Sequence, residues 1–364
     1  MMIKEIGSTF FLPPKKIDLL KKKSLKRPNI LNVDESYVST CRSAIGLCLE
    51  TLSVSRKVAL LPAFTCESVI EPFIKSGYEV FPYSIGLNLN IIWDKFVKEI
   101  EEVKPSVVLT HPYFGFNTTE ELREHVQELI LKRNIIFIED MTQSMFSNFK
   151  PLPSSFHVGS IRKWMPIPDG AFTTAPFLGK DEDKELVEAK MKALTEKGDY
   201  ILNGKGKKED YRNDFVKAEH ILDSRKIAYS MSSVSRKIFS ETDIQEIIKT
   251  RRINYAYLLN HIKNDSILLK EVDIICEELS GDICPFHFPV FVKERRNTLQ
   301  LFLAKNNIYA TIIWKCPTEF EKKINKDDKY VYDHILCFHV DQRYNTDDMK
   351  RIVTTLHYFY KTTK

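Results

Sequence analysis

The chain has 364 residues, 43% of them hydrophobic and 28% charged, and carries a net charge of +5. That length exceeds what one small core needs and suits a large domain with a smaller one, and the composition is that of a globular chain rather than a disordered or fibrous one. The charge is spread over many lysines, and the clusters "KKIDLLKKK" and "KGKKED" lack interleaved aromatics, so they read as solvated faces and no nucleic-acid partner is expected.

In chain order, "SAIGLCLETLS" opens with Ser43 as a candidate N-cap and repeats apolar residues at Ile45, Cys48, Leu49 and Leu52, which predicts a helix. Four short apolar runs follow, "KVALLP", "YEVFPY", "SVVLTH" and "NIIFIED", separated by helix-like stretches 67–76, 93–103 and 118–132. Continuously apolar strands alternating with helices imply an α/β layout, a mostly parallel sheet covered on both faces. Further on, "GKDEDKELVEAKMKALTEKGDY" predicts a charged helix and "LNGKGKKEDYRND" an exposed, mobile connection. The segment "ETDIQEIIKTRRINYAYLLNHIKN" predicts a helix with a stripe of Ile244, Ile247, Ile248, Tyr255 and Leu258. Beyond it, "ICPFHFPVFV", "RRNTLQLFLAKNN", "IYATIIW", "ILCFHV" and "NTDDMKRIVTTLHYFYKTT" alternate again. The division expected is an N-terminal segment and large domain over 1–241, then a small C-terminal α/β domain over 242–364.

Cysteines at 41, 48, 66, 276, 284, 316 and 337 form no CxxC pair and no cluster with histidine at ligand spacing. A reduced chain with no metal is expected. The start "MMIKEIGSTFFLPPKK" has no apolar core of signal-peptide length, and no window approaches the roughly 18 apolar residues of a membrane span. A cytoplasmic protein with no membrane partner is expected.

In a sheet of this kind ligands gather beyond the carboxyl ends of the strands, which directs attention to 62–66, 111–115 and 139–143. In "IFIEDMTQS", Asp140 ends a strand too apolar to be an edge, so its carboxylate is partly desolvated and needs a cationic partner; capping the next helix is the plainer alternative. "FHVGSIRKWMPIPDGAF" sets Lys163 between Arg162 and Trp164, after Ser160 and before a Pro/Gly-dense turn. A solvated surface cation is the plainer reading there. "CRSA" lies at a helix start, where unpaired N–H groups and the helix dipole favour a phosphate. An anion site, a buried carboxylate and a framed lysine are what pyridoxal phosphate requires: a phosphate cradle, a counter-ion for the pyridinium nitrogen and an amine for the aldehyde.

With these residues in view, the sequence resembles the sugar aminotransferases of the DegT/DnrJ/StrS family, pyridoxal-phosphate enzymes of the aspartate aminotransferase fold (fold type I). The resemblance runs from about residue 40 to the C-terminus. It rests on "RSAIGLCL", "LLPAFTCESVIEPFIKSGYEVFPYSI", "FIEDMTQS" and "SIRKWMPIPDGA", and further on "RRINYAYLL" and "FHVDQRYNTDDMKRI". Asp140 with Gln143, and Lys163 with Gly170, are its more specific features. The resemblance implies that Lys163 is the Schiff-base lysine and proton shuttle and that Asp140 pairs with the ring nitrogen. It also implies that Gln143 bonds near the ring's 3-oxygen, and that Ser160 with the backbone of Ser43 and Ala44 holds the phosphate. To act as a base Lys163 must be neutral part of the time, which desolvation beside Arg162 and Trp164 favours. His111 and Tyr113 either line the substrate pocket or are packed loop aromatics, and Trp164 is a core or interface residue.

The implied reaction moves an amino group from a donor, glutamate, to a keto sugar carried on a nucleotide, for surface polysaccharide or a related metabolite. A homodimer is implied, with residues shared across each site. Two alternatives stand beside it. One keeps the cofactor for a dehydratase-like reaction, although dehydrating members replace the lysine with histidine and Lys163 is intact. The other is a non-catalytic sensory or scaffold descendant. It is favoured by Cys66, which stands where most members carry the ring-stacking aromatic, so that stacking is by sulfur or passes to Phe64. It is favoured too by "AYSMSSVS", which lacks the asparagine and arginine that a neighbouring subunit usually contributes.

Overall fold

The computed structural model describes residues 5–13, 30–31, 34–153, 156–179, 181–225 and 227–363. In chain order the elements are β1 (Ile6–Gly7), β2 (Ser36–Val38), α1 (Cys41–Glu50), β3 (Val58–Pro62), α2 (Glu67–Lys75), β4 (Glu79–Tyr83), α3 (Trp93–Val103), β5 (Val107–Thr110), α4 (Glu120–Arg133), β6 (Ile136–Asp140), β7 (Phe156–Ser160) and β8 (Ala171–Thr173). They continue with α5 (Lys184–Asn203), α6 (Lys208–Ser224), α7 (Ser233–Glu241), α8 (Ile244–Lys263), α9 (Leu268–Glu271), β9 (Val272–Ile274), β10 (Phe288–Val292), α10 (Arg296–Lys305), β11 (Ile308–Tyr309), α11 (Lys326–His334), β12 (Ile335–Phe338) and α12 (Thr346–Thr362). The chain divides into two compact units, one of Met1–Ser8, Val54–Ser155 and Asp243–Lys364, the other of Thr9–Ser53 and Phe156–Thr242.

In the first unit, β4, β3, β5 and β6 pair in parallel in that order, with Leu60 opposite Phe81 and Leu109 opposite Ile138. Every residue of β3 and β5 is buried, and that is why these runs show no polar alternation. Helix α3 buries Phe96 and Ile100 and stops at Lys104, α4 buries Leu122, Val126 and Leu129 and stops at Asn134, and both stops are left-handed. The rest of this unit holds an antiparallel sheet in the order β12-β10-β9 and the short parallel pair β1-β11. On α8 the buried stripe runs through Ile247, Arg251, Asn254, Tyr255, Leu258 and Ile262. Asn325 with Asp328, and Asn345 with Asp348, form capping boxes that start α11 and α12. The run "IYATIIW" makes a shorter strand than expected: after β11 only Thr311 bridges Cys337.

In the second unit, β2, β8 and β7 pair antiparallel. Helices α5 and α6 pack on each other through Leu186, Ala218 and Leu222. The segment expected to be a mobile connection is instead mostly helix. Tyr211, Asp214, Ala218 and Leu222 recur on one buried face of α6, a period that the surrounding charges conceal in the sequence. Residues 204–207 alone link the two helices, starting with Gly204 in a left-handed conformation. Among the described residues no helix is long and apolar enough to cross a membrane.

Candidate active site

Strand β7 ends in three buried residues, Val158, Gly159 and Ser160, and runs into one turn of 3-10 helix, Ile161–Lys163. Ile161 and Trp164 are buried while Lys163 between them is exposed. The Gly170 carbonyl closes the turn from behind, accepting from the Ile161 N–H at 3.0 Å and the Arg162 N–H at 3.2 Å, and the Gly170 N–H donates to the Ser39 carbonyl at 2.7 Å. Gly170 has a φ of +134°, and a Cβ on it would lie 2.8 Å from Met231 Cε. Only glycine fits there, which accounts for the spacing from Lys163 to Gly170. Lys163 itself has no hydrogen-bond or ion-pair partner among the described residues.

The desolvation expected around Lys163 is not found in the chain. Trp164 turns into the core, and Arg162 is drawn off to Glu219 of α6 at 3.3 Å. Glu219 also accepts from Lys190 of α5. Burial pushes the Glu219 carboxyl up, but the two cations and their hydrogen bonds outweigh it and hold it down at about 2. Burial and the nearby Arg162 lower the Lys190 ammonium against the pull of Glu219.

The cap of α1 is Thr40, not Ser43: Thr40 Oγ1 accepts from the Ser43 N–H at 3.1 Å and sits 3.0 Å from Ser43 Oγ. Cys41 and Arg42 are already helical, although neither belongs to the apolar period used to place the start. The Ala44 N–H donates to the Thr40 carbonyl at 3.0 Å, which is the first bond of the helical ladder. Ser160 is buried where β7 ends.

The other expected residues follow the strands of the first unit. Asp140 and Gln143 are buried; Asp140 Oδ1 accepts from the Thr142 N–H at 2.9 Å, so the carboxylate caps a turn. Gln143 Oε1 accepts from the Phe114 N–H at 2.7 Å and so ties the loop after β6 to the loop after β5. His111 Nε2 lies 3.2 Å from Thr65 Oγ1, with its ring edge-on to Tyr113 and Trp314. The buried Tyr113 hydroxyl donates to the Phe64 carbonyl at 2.5 Å, and burial pushes this phenol well above its ordinary range. Phe64 is wholly buried, its ring 5.7, 4.8 and 4.9 Å from those of Tyr113, Trp314 and Tyr332. The Tyr332 hydroxyl donates to the Ala63 carbonyl at 2.8 Å and accepts from the Thr65 N–H at 3.0 Å. Cys66 precedes α2, partly exposed, with Sγ 3.0 Å from Ser68 Oγ. Of the two stacking alternatives, the Phe64 ring is therefore committed to the core and Cys66 keeps an open side.

Sequence reasoning missed the residues behind the Lys163 turn. Asp169 is wholly buried and accepts from Ser232 Oγ and Ser235 Oγ at 2.5 Å each and from the Ser232 N–H at 2.9 Å. Burial raises the Asp169 carboxyl and the serine bonds oppose that rise. Both serines belong to "AYSMSSVS", the segment without the asparagine and arginine of the resemblance. A serine-rich stretch and a lone aspartate in "PIPDG" were visible, but nothing local says that the two meet. Two clefts of the first unit, about 630 and 450 Å³, hold none of the expected residues. Among the described residues no group of three His, Cys, Asp or Glu could hold a metal ion.

No family model and no curated protein matches the sequence. Solved structures do match. Helicobacter pylori PseC, an aminotransferase involved in the biosynthesis of pseudoaminic acid, is similar at a TM-score of 0.70 and 15% identity, over 99% of this chain and 100% of that one. S. venezuelae DesV, solved in complex with a ketimine intermediate, is similar at 0.67 and 13% identity, over 96% and 94%. A DegT DnrJ EryC1 StrS aminotransferase from Brucella abortus is similar at 0.65 and 14% identity, over 96% and 91%. Identities this low bear on the fold and not on single residues. Along almost its whole length the chain has the α/β fold of these proteins, as the resemblance implied.

Proposed function

We propose that the protein is a pyridoxal-phosphate-dependent aminotransferase that moves an amino group from glutamate to a keto sugar carried on a nucleotide. The observation that carries this reading is the Lys163 turn, an amine with no partner among the described residues on backbone fixed from behind by Gly170. Support for the substrate class comes from two fold neighbours, CalS13 from Micromonospora echinospora, which is named a sugar aminotransferase, and DesI, solved in the presence of its TDP-sugar product. An aminated sugar for surface polysaccharide, a homodimer and a cytoplasmic setting belong to the same proposal.

Taken one by one, the residues have the chemistry that the resemblance assigns to them. Lys163 offers an amine that no other described residue claims, and buried Asp140 offers a carboxylate for the ring nitrogen. Gln143 and the open side of Cys66 would serve the ring, and Ser160 the phosphate. At α1 a phosphate oxygen would replace Thr40 Oγ1 as the acceptor for the Ser43 N–H, while Ala44, whose N–H is in the ladder, would contribute through the helix dipole. When bound, the cofactor supplies an electron-withdrawing ring that stabilises negative charge on the donor's α-carbon. Lys163 moves the proton at that carbon and must be neutral when it does so. Asp140 keeps the ring nitrogen protonated; raising that pKa by two or three units amounts to about 3–4 kcal/mol. His111 and Tyr113, both buried, would support the pocket from behind.

Borohydride reduction of protein incubated with pyridoxal phosphate should leave the cofactor on Lys163 in peptide mass spectra, and glutamate added before reduction should clear it. Label scattered over other lysines with Lys163 unmodified would sink the reading and favour the non-catalytic descendant.

A further inference from the structure

We propose that Asp169, clamped by Ser232 and Ser235, is a positioning residue that orients Lys163 through the Gly170 carbonyl; this rests on reading Lys163 as the cofactor's amine. The links are short. Ser232 caps α7, accepting from the Ser235 N–H, so both hydroxyls stand on the rigid start of a helix. Each donates to Asp169, and the Ser232 N–H adds a third bond. The next residue is Gly170, whose carbonyl takes the Ile161 and Arg162 N–H groups. Lys163 is the next residue again.

A buried carboxylate without a cation is costly unless its oxygens are met by donors. Among the described residues Asp169 has no ion-pair partner and meets two hydroxyls and one amide instead. An acceptor-only group forces both hydroxyls to point at it, whereas an asparagine would admit several hydrogen-bond arrangements. The carboxylate thus selects one geometry for the turn. Arg162, held by Glu219, fixes the residue before the lysine from a second direction. Lys163 therefore has a constrained stem and a tip that no described residue claims. A group that only aims the amine changes how fast it attacks and not how tightly the cofactor's phosphate is held.

The test follows attachment of pyridoxal phosphate to Lys163 over time and cofactor concentration, by borohydride trapping and peptide mass. Asp169→Asn and the double variant Ser232→Ala/Ser235→Ala should each lower the maximal rate about tenfold to a hundredfold, while the half-saturating concentration moves less than about twofold. Should either variant fail to fold, the single variant Ser235→Ala, which removes one donor, should still show a slower maximal rate at unchanged half-saturation. A parental maximal rate in these variants, or half-saturation rising in step with a falling melting temperature, would overturn the proposal and leave Asp169 a merely structural residue. A parent protein that is not labelled at Lys163 overturns the aminotransferase reading itself, an outcome visible before any variant is made.

Discussion

The loops after β3, β5 and β6 and the turn after β7 treat the side chains that the proposal assigns to the cofactor in opposite ways. In the loops, Thr65, His111, Tyr113, Asp140 and Gln143 are buried, and their side chains are bonded into the loops themselves. After β7 the backbone carries the bonds, through Gly170 and behind it Asp169, and the side chain of Lys163 is left exposed. A group whose task is to hold still can be packed. A group that must exchange partners during a reaction cannot be, so precision has to be built into the peptide beneath it.

The contrast can be broken most sharply at its packed end. Phe64→Ala removes a wholly buried ring from among three others and should cost about 3–5 kcal/mol in urea unfolding. A cost below about 1 kcal/mol would mean that the cluster does not hold the loop.

Glu219 comes next, because it anchors the turn from outside. Its folded pKa of about 2 lies below the ordinary 4.5, so its contribution is complete above 4.5 and is lost as pH falls from there towards 2. Its side chain is 44% exposed although the surrounding atoms are dense, and solvent screening reduces the expected contribution to about 1–2 kcal/mol. Glu219→Gln should be less stable than the parent by that amount at pH 7, and the two unfolding curves should converge in acid. A difference that persists unchanged at the acid end would show that packing, not charge, is what Glu219 provides.

Thr40→Ala should cost about 1 kcal/mol through loss of the α1 cap, and Ser43→Ala clearly less. Equal losses in calorimetry would return the cap to Ser43. The smallest effect belongs to the exposed end of the contrast: Lys163→Ala should change stability by less than about 0.5 kcal/mol, since no partner among the described residues is lost. A larger change in the unfolding midpoint would reveal a partner for the amine.

Much of the first unit was legible because buried strands and amphipathic helices write their period into the sequence. The run "NIIFIED" and the helix over 93–103 come out as expected, within a residue or two. Helix α6 was hidden because lysines and acids crowd its exposed side and mask the spacing of Tyr211, Asp214, Ala218 and Leu222. At the candidate site, the distance from Lys163 to Gly170 is a local constraint and could be read. The packing of the Phe64 ring could not, because its neighbours Trp314 and Tyr332 lie far along the chain. Asp169 escaped for the same reason, its donors lying at 232 and 235.

One oxygen, that of Tyr332, closes the bend from Ala63 to Thr65 from both sides, and the unit to which both belong is interrupted by Phe156–Thr242. During synthesis the β3 loop therefore leaves the ribosome long before the residue that finishes it. The strands around it can pair early, but the Phe64 ring has to wait for its last neighbours, and in that interval a sticky aromatic surface stands open to chaperones and to other nascent chains.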